Sequence, residues 1–574
     1  YQYNDAGFVI GVKLHKNAQA EGVQLKTSTY DWLGNPLTET DGEGNTITRT
    51  YNAFGKIRTE SHPADSTIPA YSITYQYDKR GNVKKTLDSM GKVELFEYDN
   101  QNRVLRQTTQ KADGSETILK AYRYDQNGNK CAELLGGSQA DLDNKKDERK
   151  YAYDELNRLI ADSVLVTALN GVRHEIRKTY GYDLNDNQTS VTEWIGEQPT
   201  KTETSIYDPL NRLIEQKDAY GKTMQRLVYN HNSKQVSAFD AYNNETKFNY
   251  DKNDRLLETI DPLLHKTSQT YDELGNIHTK TDGENNTTTY TYDEFGNLAN
   301  VANTVGGKTE TTTYTYDRNG NMLTQTDAKG QTTTYEYNAA NKVIRKINNN
   351  GRTGTPGNYT YNPARTEACT YYADGNLKTK TDRKGKTTVY TYDIHGRLIT
   401  ETAGTITNTY TYDCRGNQLT VTDATGTTTR TYDELGRVTT KKVPVIGTVK
   451  YTYDLTTGFG MPAGCKAEIT EDPRGNKTVK IFDKAGRIKE VKAGLDADSV
   501  VYHYNDNGSV ASVVYPGGAR EDYQYNADNT LALLTNKKAD GTLLESYSYT
   551  YDRARRLISK TDRKGVTTYT YDEL

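Results

Sequence analysis

Along most of the chain, polar and apolar residues alternate in short runs, as in Thr289-Tyr290-Thr291-Tyr292. A period of two puts both tyrosines on one face of a β-strand and both threonines on the other. The runs are bounded by Asp-x-x-Gly. In the best-formed unit, Tyr412-Asp413-Cys414-Arg415-Gly416-Asn417-Gln418-Leu419 is followed by Thr422-Asp423-Ala424-Thr425-Gly426, then by Thr427-Thr428-Thr429-Arg430-Thr431-Tyr432. Aspartate at the first position of a type I turn accepts hydrogen bonds from nearby backbone, and glycine at the fourth supplies the positive φ of a bulged return. Each unit is therefore predicted to be a β-hairpin, and consecutive hairpins to continue one antiparallel sheet.

The motif Tyr-(Asp/Asn)-x-x-(Gly/Asn) has 26 anchors from Tyr3 to Tyr571, Tyr361 and Tyr372 among them and several degenerate in the later letters, with a mean spacing of about 23 residues. Cleaner units step by 20 from Tyr372 to Tyr432. The predicted structural anchors are Tyr271, Asp272 and Gly275; Tyr292, Asp293 and Gly296; and Tyr316, Asp317 and Gly320. Further along they are Tyr392, Asp393 and Gly396; Tyr412, Asp413 and Gly416; and Tyr432, Asp433 and Gly436. Twenty-six units imply roughly 50 strands, which at about 4.8 Å each make a ribbon on the order of 250 Å long. A twisted sheet of more than about ten strands curls or splits. The expected fold is all-β: tandem hairpins in one long antiparallel sheet, continuous over residues 1–574, that spirals into a hollow shell or tube. Recurrent tyrosines are expected to stack as cross-strand aromatic ladders, leaving the concave face only partly dehydrated. The spacing is irregular near 132–150, 348–358 and 458–464, which read as longer hairpin loops. Both ends fall within a unit, so the chain reads as the interior of a longer protein.

Composition refines this picture. Apolar residues are 34% of the 574, and 47 of them are Tyr, against 8 Phe, 2 Trp and 4 Met. With a mean hydropathy of −0.90 the chain could pass for disordered, but its net charge is only −3 and Tyr and Thr favour strands. Near-neutrality argues against nucleic acid as a partner. No run approaches the roughly 18 apolar residues of a membrane-spanning helix. Cys131, Cys369, Cys414 and Cys465 lie far apart and read as isolated thiols.

The units Tyr292-Asp293-Glu294-Phe295-Gly296-Asn297-Leu298 and Tyr432-Asp433-Glu434-Leu435-Gly436-Arg437-Val438 resemble the YD repeat of the bacterial RHS family, and the resemblance covers essentially the whole chain. Similar proteins include bacterial polymorphic toxins, the B and C components of Tc insecticidal toxins, and teneurins. The resemblance implies a β-strip coiled into a hollow shell, which in many bacterial members encloses a toxic C-terminal segment. Such members end in a core motif with Asp-Pro-x-Gly elements and cargo-cleaving aspartates. Here Asp472-Pro473-Arg474-Gly475 spells those letters but stands where the second turn of an ordinary unit belongs, so it reads as a turn. Asp208-Pro209 and Asp261-Pro262 depart from the motif.

Candidate chemistry is sparse. Aspartates recur at turn positions, which explains them without a catalytic pair. His15, His62, His174, His231, His265, His278, His395 and His503 form no zinc motif, and no G-x-S-x-G elbow occurs. Oxygens cluster near glycine at Asp41-Gly42-Glu43-Gly44-Asn45 and Asp317-Arg318-Asn319-Gly320-Asn321, and again at Asp141, Asp143, Asp147 and Glu148, but without an EF-hand loop. They read as turns and a solvated insertion, and no catalytic residue, cofactor or metal is expected. The expected function is a non-enzymatic structural wall enclosing a polypeptide cargo, in a large secreted or surface bacterial protein. The alternative is an extracellular adhesion fibre whose tyrosines stack on cell-surface glycans. A weaker third reading is an enzyme with its active site in one insertion.

Overall fold

The computed structural model describes residues 1–14, 22–110, 113–144, 147–355, 358–495 and 498–572; His15 lies outside them. Strands account for 58% of the chain and helix for 1%. One antiparallel sheet contains 49 strands and does not close on itself. Each strand pairs with the one before and the one after it. The sheet skips only a separate hairpin, Arg352–Thr355 with Asn358–Tyr361, so that Val343–Ile347 pairs directly with Thr366–Tyr371.

The register explains the alternation. Thr409 faces Thr422, Tyr410 faces Val421 and Thr411 faces Thr420; a bulge then brings Tyr412 opposite Gln418. Threonines therefore line one face, while Tyr410, Tyr412 and Val421 share the other. The threonine face is cross-linked by hydroxyl pairs such as Thr270–Thr279 at 2.7 Å, Thr391–Thr400 at 2.5 Å and Thr411–Thr420 at 2.7 Å.

The sheet is one layer thick. Its accessible surface is 32905 Å², whereas a compact monomer of 64.6 kDa would expose about 20,000 Å². Both faces must therefore meet solvent, and dry cores are small. One gathers Cys465, Ala467, Val479 and Ile481 beneath Phe459 and Met461 of the 458–464 loop. Another gathers Ile118, Ala121 and Leu134 against Leu142 of the short helix Gln139–Asp143.

One loop boundary and two anchor assignments need correction. Lys130–Gly137 is a strand, so the first insertion begins at Ser138. Tyr361 does not anchor a repeat, because it ends the separate hairpin. At the next unit the strand-ending tyrosine is Tyr371, and Tyr372 occupies the aspartate position, its N–H donating to the Asn376 carbonyl.

Contacts between residues about 270 apart reveal the path. The turn at Asp41 touches that at Asp317, and the turn at Asp282 touches that at Asp552. In each case 23 strands of the sheet lie between them. At about 4.8 Å per strand one lap is roughly 110 Å around, hence about 35 Å across between wall centres. A wall about 10 Å thick leaves a lumen on the order of 25 Å. The chain makes about two laps.

Candidate functional site: anchor turns and the lap seam

Each predicted anchor turn is built alike. The backbone N–H of Asp272, Asp293, Asp317, Asp393, Asp413 and Asp433 donates to the carbonyl four residues on, and the N–H of Gly275, Gly296, Gly320, Gly396, Gly416 and Gly436 donates back to the aspartate carbonyl. These glycines have φ between 76° and 91°, where a Cβ is penalised. One carboxylate oxygen accepts two turn N–H groups, in Asp413 those of Arg415 at 2.9 Å and Asn417 at 2.8 Å. The other oxygen accepts from the residue after the glycine, Asn417 Nδ2 at 2.8 Å or Arg437 Nε at 2.7 Å. Such donors hold the Asp272 carboxyl below its ordinary pKa, the Asn276 side chain contributing most.

The tyrosines are tied, not stacked. Twenty of the tyrosines that lead into these turns, including Tyr271, Tyr292, Tyr412 and Tyr432, donate their hydroxyl to the carbonyl of the residue that opens the neighbouring, preceding strand, at 2.6–3.1 Å. Among the described residues the expected aromatic ladder does not form. Successive anchors are two strands apart, about 10 Å, beyond the 4.5–7 Å of ring contact. Tyr372, at an aspartate position, is not part of such a ladder, and its ring lies edge-on to Tyr392 at 6.2 Å. Where arginine follows the turn it bridges the gap. Arg103, Arg158, Arg212, Arg255, Arg397, Arg437, Arg487 and Arg556 each lie 4.3–5.0 Å over the ring of the next anchor.

The two turn types lie on opposite edges of the ribbon, so coiling brings Tyr-Asp turns of the second lap onto the other turns of the first. Glu43 Oε1 accepts the Arg318 N–H at 2.9 Å, and Glu284 Oε1 accepts that of Arg553 at 2.6 Å. Beside them a Cβ on Gly42 would come within 2.7 Å of the Arg318 Cβ, and one on Gly283 would overlap the Arg553 carbonyl. Elsewhere Asp65 accepts from Ala339 N–H at 2.7 Å, and Glu434 receives both the N–H and the hydroxyl of Thr167, at 2.7 and 2.5 Å. Asp454 is held by Arg437 at 3.0 Å and by His174 at 3.4 Å. Burial alone would push its pKa up, but the hydrogen bonds from His174 and Arg437 hold it down at about 2.

Residues 271–309 and 316–353 match the family model described as RHS Repeat, and residues 374–466 match that described as Teneurin YD-shell. Over these residues the chain carries RHS and YD-shell repeats. No curated protein matches it. Among solved structures, the TcdB2-TccC3 crystal structure aligns at 14% identity and a TM-score of 0.37, over 94% of this chain and 38% of that one. The Photorhabdus luminescens Tc holotoxin pore aligns at 13% identity and a TM-score of 0.36, over 95% and 39%. A porin-like protein from Bacteroides uniformis aligns at 10% identity and a TM-score of 0.11, over 52% and 91%. The chain spans about two fifths of the length of those Tc toxin chains.

The remaining polar candidates named from the sequence are occupied by protein donors. Asp41 Oδ2 accepts from Asn45 and Asn319, and Asp147 pairs with Arg415 across the seam at 2.7 Å. Asp261, His265 and Asp528 come close enough to share a cation, but the guanidinium of Arg555 reaches both carboxylates, at 3.2 and 3.4 Å. Asp472-Pro473-Arg474-Gly475 forms an ordinary turn, with Gly475 N–H donating to the Asp472 carbonyl. Reading the sequence missed the seam, although it leaves a mark. Asp-Gly-Glu occurs only at 41–43 and 282–284, Tyr-Asp-Arg only at 316–318 and 551–553, and each of the first meets one of the second.

Proposed function

We propose that this chain is the wall of a hollow RHS/YD shell that encloses a polypeptide, in a large secreted or cell-surface protein. The reading is supported above all by the single-layer coil, whose opposite edges dock lap upon lap around a lumen on the order of 25 Å. The wall acts by steric exclusion, and its tyrosines, aspartates and arginines serve the fold. A glycan-binding fibre would need free ring faces, and in eight repeats an arginine covers the anchor ring.

Protease protection tests this. A disordered segment fused after Leu574 should resist a protease of about 275 residues, which at about 45 Å across cannot pass the lumen. The same segment mixed in trans should be digested at once. Equal digestion of the two would refute enclosure.

A further inference from the structure

One element is not needed by the wall. Val343–Ile347 pairs directly with Thr366–Tyr371, so the sheet is continuous without the hairpin of Arg352–Thr355 and Asn358–Tyr361 that lies between them in sequence. The hairpin is nevertheless pinned. The Tyr361 hydroxyl donates to Glu336 at 2.9 Å, Arg352 reaches the same carboxylate at 2.9 Å, and Arg345 holds it at 3.0 Å. Tyr359 and Tyr361, neither of them an anchor ring, alternate onto one side of the hairpin. With Arg352 they border a cavity of about 1240 Å³. Arg352 backs the Tyr359 ring at 4.0 Å, and Tyr361 meets that ring edge-on at 6.3 Å.

Across the cavity lies the threonine face of the sheet. Thr315, Thr324 and Thr334 stand in one row over three strands and line it. Thr315 and Thr324 share a hydrogen bond at 2.7 Å, whereas among the described residues the hydroxyls of Thr334 and Tyr359 meet no partner. Asn338 borders the cavity as well, 5% exposed, with an Nδ2 that meets no acceptor. The first lap supplies a third side through Glu43 and Asp65, which accept the backbone N–H groups of Arg318 and Ala339 across the seam. The site is complete only where the two laps are joined.

These groups select a ligand class. A braced aromatic ring, unengaged hydroxyl and amide donors, and carboxylate acceptors suit a polyhydroxylated ring with apolar faces. Carboxylates at the edge disfavour a polyanion, and the hydroxyl row disfavours a wholly apolar molecule. The volume exceeds the roughly 300–1,000 Å³ of small-ligand sites, which leaves room for several sugar units. We propose that the groove between this hairpin and the wall binds a neutral oligosaccharide, and that binding tightens the seam because both laps line the site.

A glycan array probed with the full chain tests it, followed by calorimetry with the best-bound oligosaccharide. Tyr359→Ala should weaken binding by about tenfold. Thr334→Val keeps the side-chain shape, removes the hydroxyl, and should weaken it by about two- to tenfold. Thr334 lies in the main sheet and Tyr359 in the hairpin, so the two variants test the groove from both sides, and unchanged thermal unfolding checks each fold. Bound oligosaccharide should slow hydrogen exchange at residues 317–320 of the wild type and leave it unchanged in Tyr359→Ala. An array without a hit would overturn the proposal and leave the groove to a polypeptide. Binding indifferent to both substitutions would place the sugar elsewhere on the wall and overturn it too, and binding without slower exchange would overturn the coupling to the seam.

Discussion

Tyr412 links two repeats through a single hydrogen bond, 2.9 Å from its hydroxyl to the Leu398 carbonyl. Tyr412→Phe keeps the ring and strands that acceptor, so unfolding in urea should show a loss of about 0.5–1.5 kcal/mol. Asp413 makes a sharper test. Asn52 occupies the same position and still accepts from Phe54 and Lys56, so Asp413→Asn should cost little. Asp413→Ala leaves two turn N–H groups without their acceptor and should cost about 1–3 kcal/mol. Gly416→Ala, at φ 91°, should cost about 1–2 kcal/mol. The turn was legible in sequence because its requirements lie within five consecutive residues. The ladder was misread because ring separation depends on the number of strands between anchors, which no local pattern states. The arginine that fills the gap was visible, yet its ring partner lies a full repeat away.

Hairpins were legible as elements because the alternation and both turns recur in every unit. Departures were less so: the strands Arg352–Thr355 and Asn358–Tyr361 pair apart from the main sheet, and the Tyr361 hydroxyl and Arg352 both reach Glu336, a long-range pairing that spacing cannot show. The seam can be tested one turn at a time. Gly283 has no positive φ, so what bars a side chain there is the Arg553 backbone pressed against it. Gly283→Ala should therefore open the seam locally while leaving both hairpins intact. Hydrogen exchange should rise at least tenfold at residues 551–556 and stay unchanged at Thr287–Tyr292. Glu284→Gln keeps the acceptor for the Arg553 N–H and should alter exchange little, whereas Glu284→Ala should resemble the glycine variant. Equal loosening of the strands would mean that Gly283 matters to its own hairpin instead.

For the whole molecule, the coil holds only if its laps stay joined, and several seam contacts join a carboxylate to a cation or an N–H. Asp454 is the clearest: its side chain is 6% exposed, faces Arg437 and His174, and lies within the field of Lys466. Its pKa of about 2 in the fold lies below the ordinary 3.8, so the carboxylate's contribution is complete above pH 4 and is lost as pH falls from there toward 2. That difference corresponds to about 2 kcal/mol. Urea midpoints measured from pH 5 to pH 2 should therefore fall, and small-angle scattering should show the radius of gyration rising as the laps separate. Asp454→Asn has no charge to lose. It should start less stable at pH 5 and show a flatter decline across the same window, converging with the wild type near pH 2. Parallel declines in the two proteins would assign the acid response to the other carboxylates of the wall, and would leave this part of the seam held by shape and backbone hydrogen bonds.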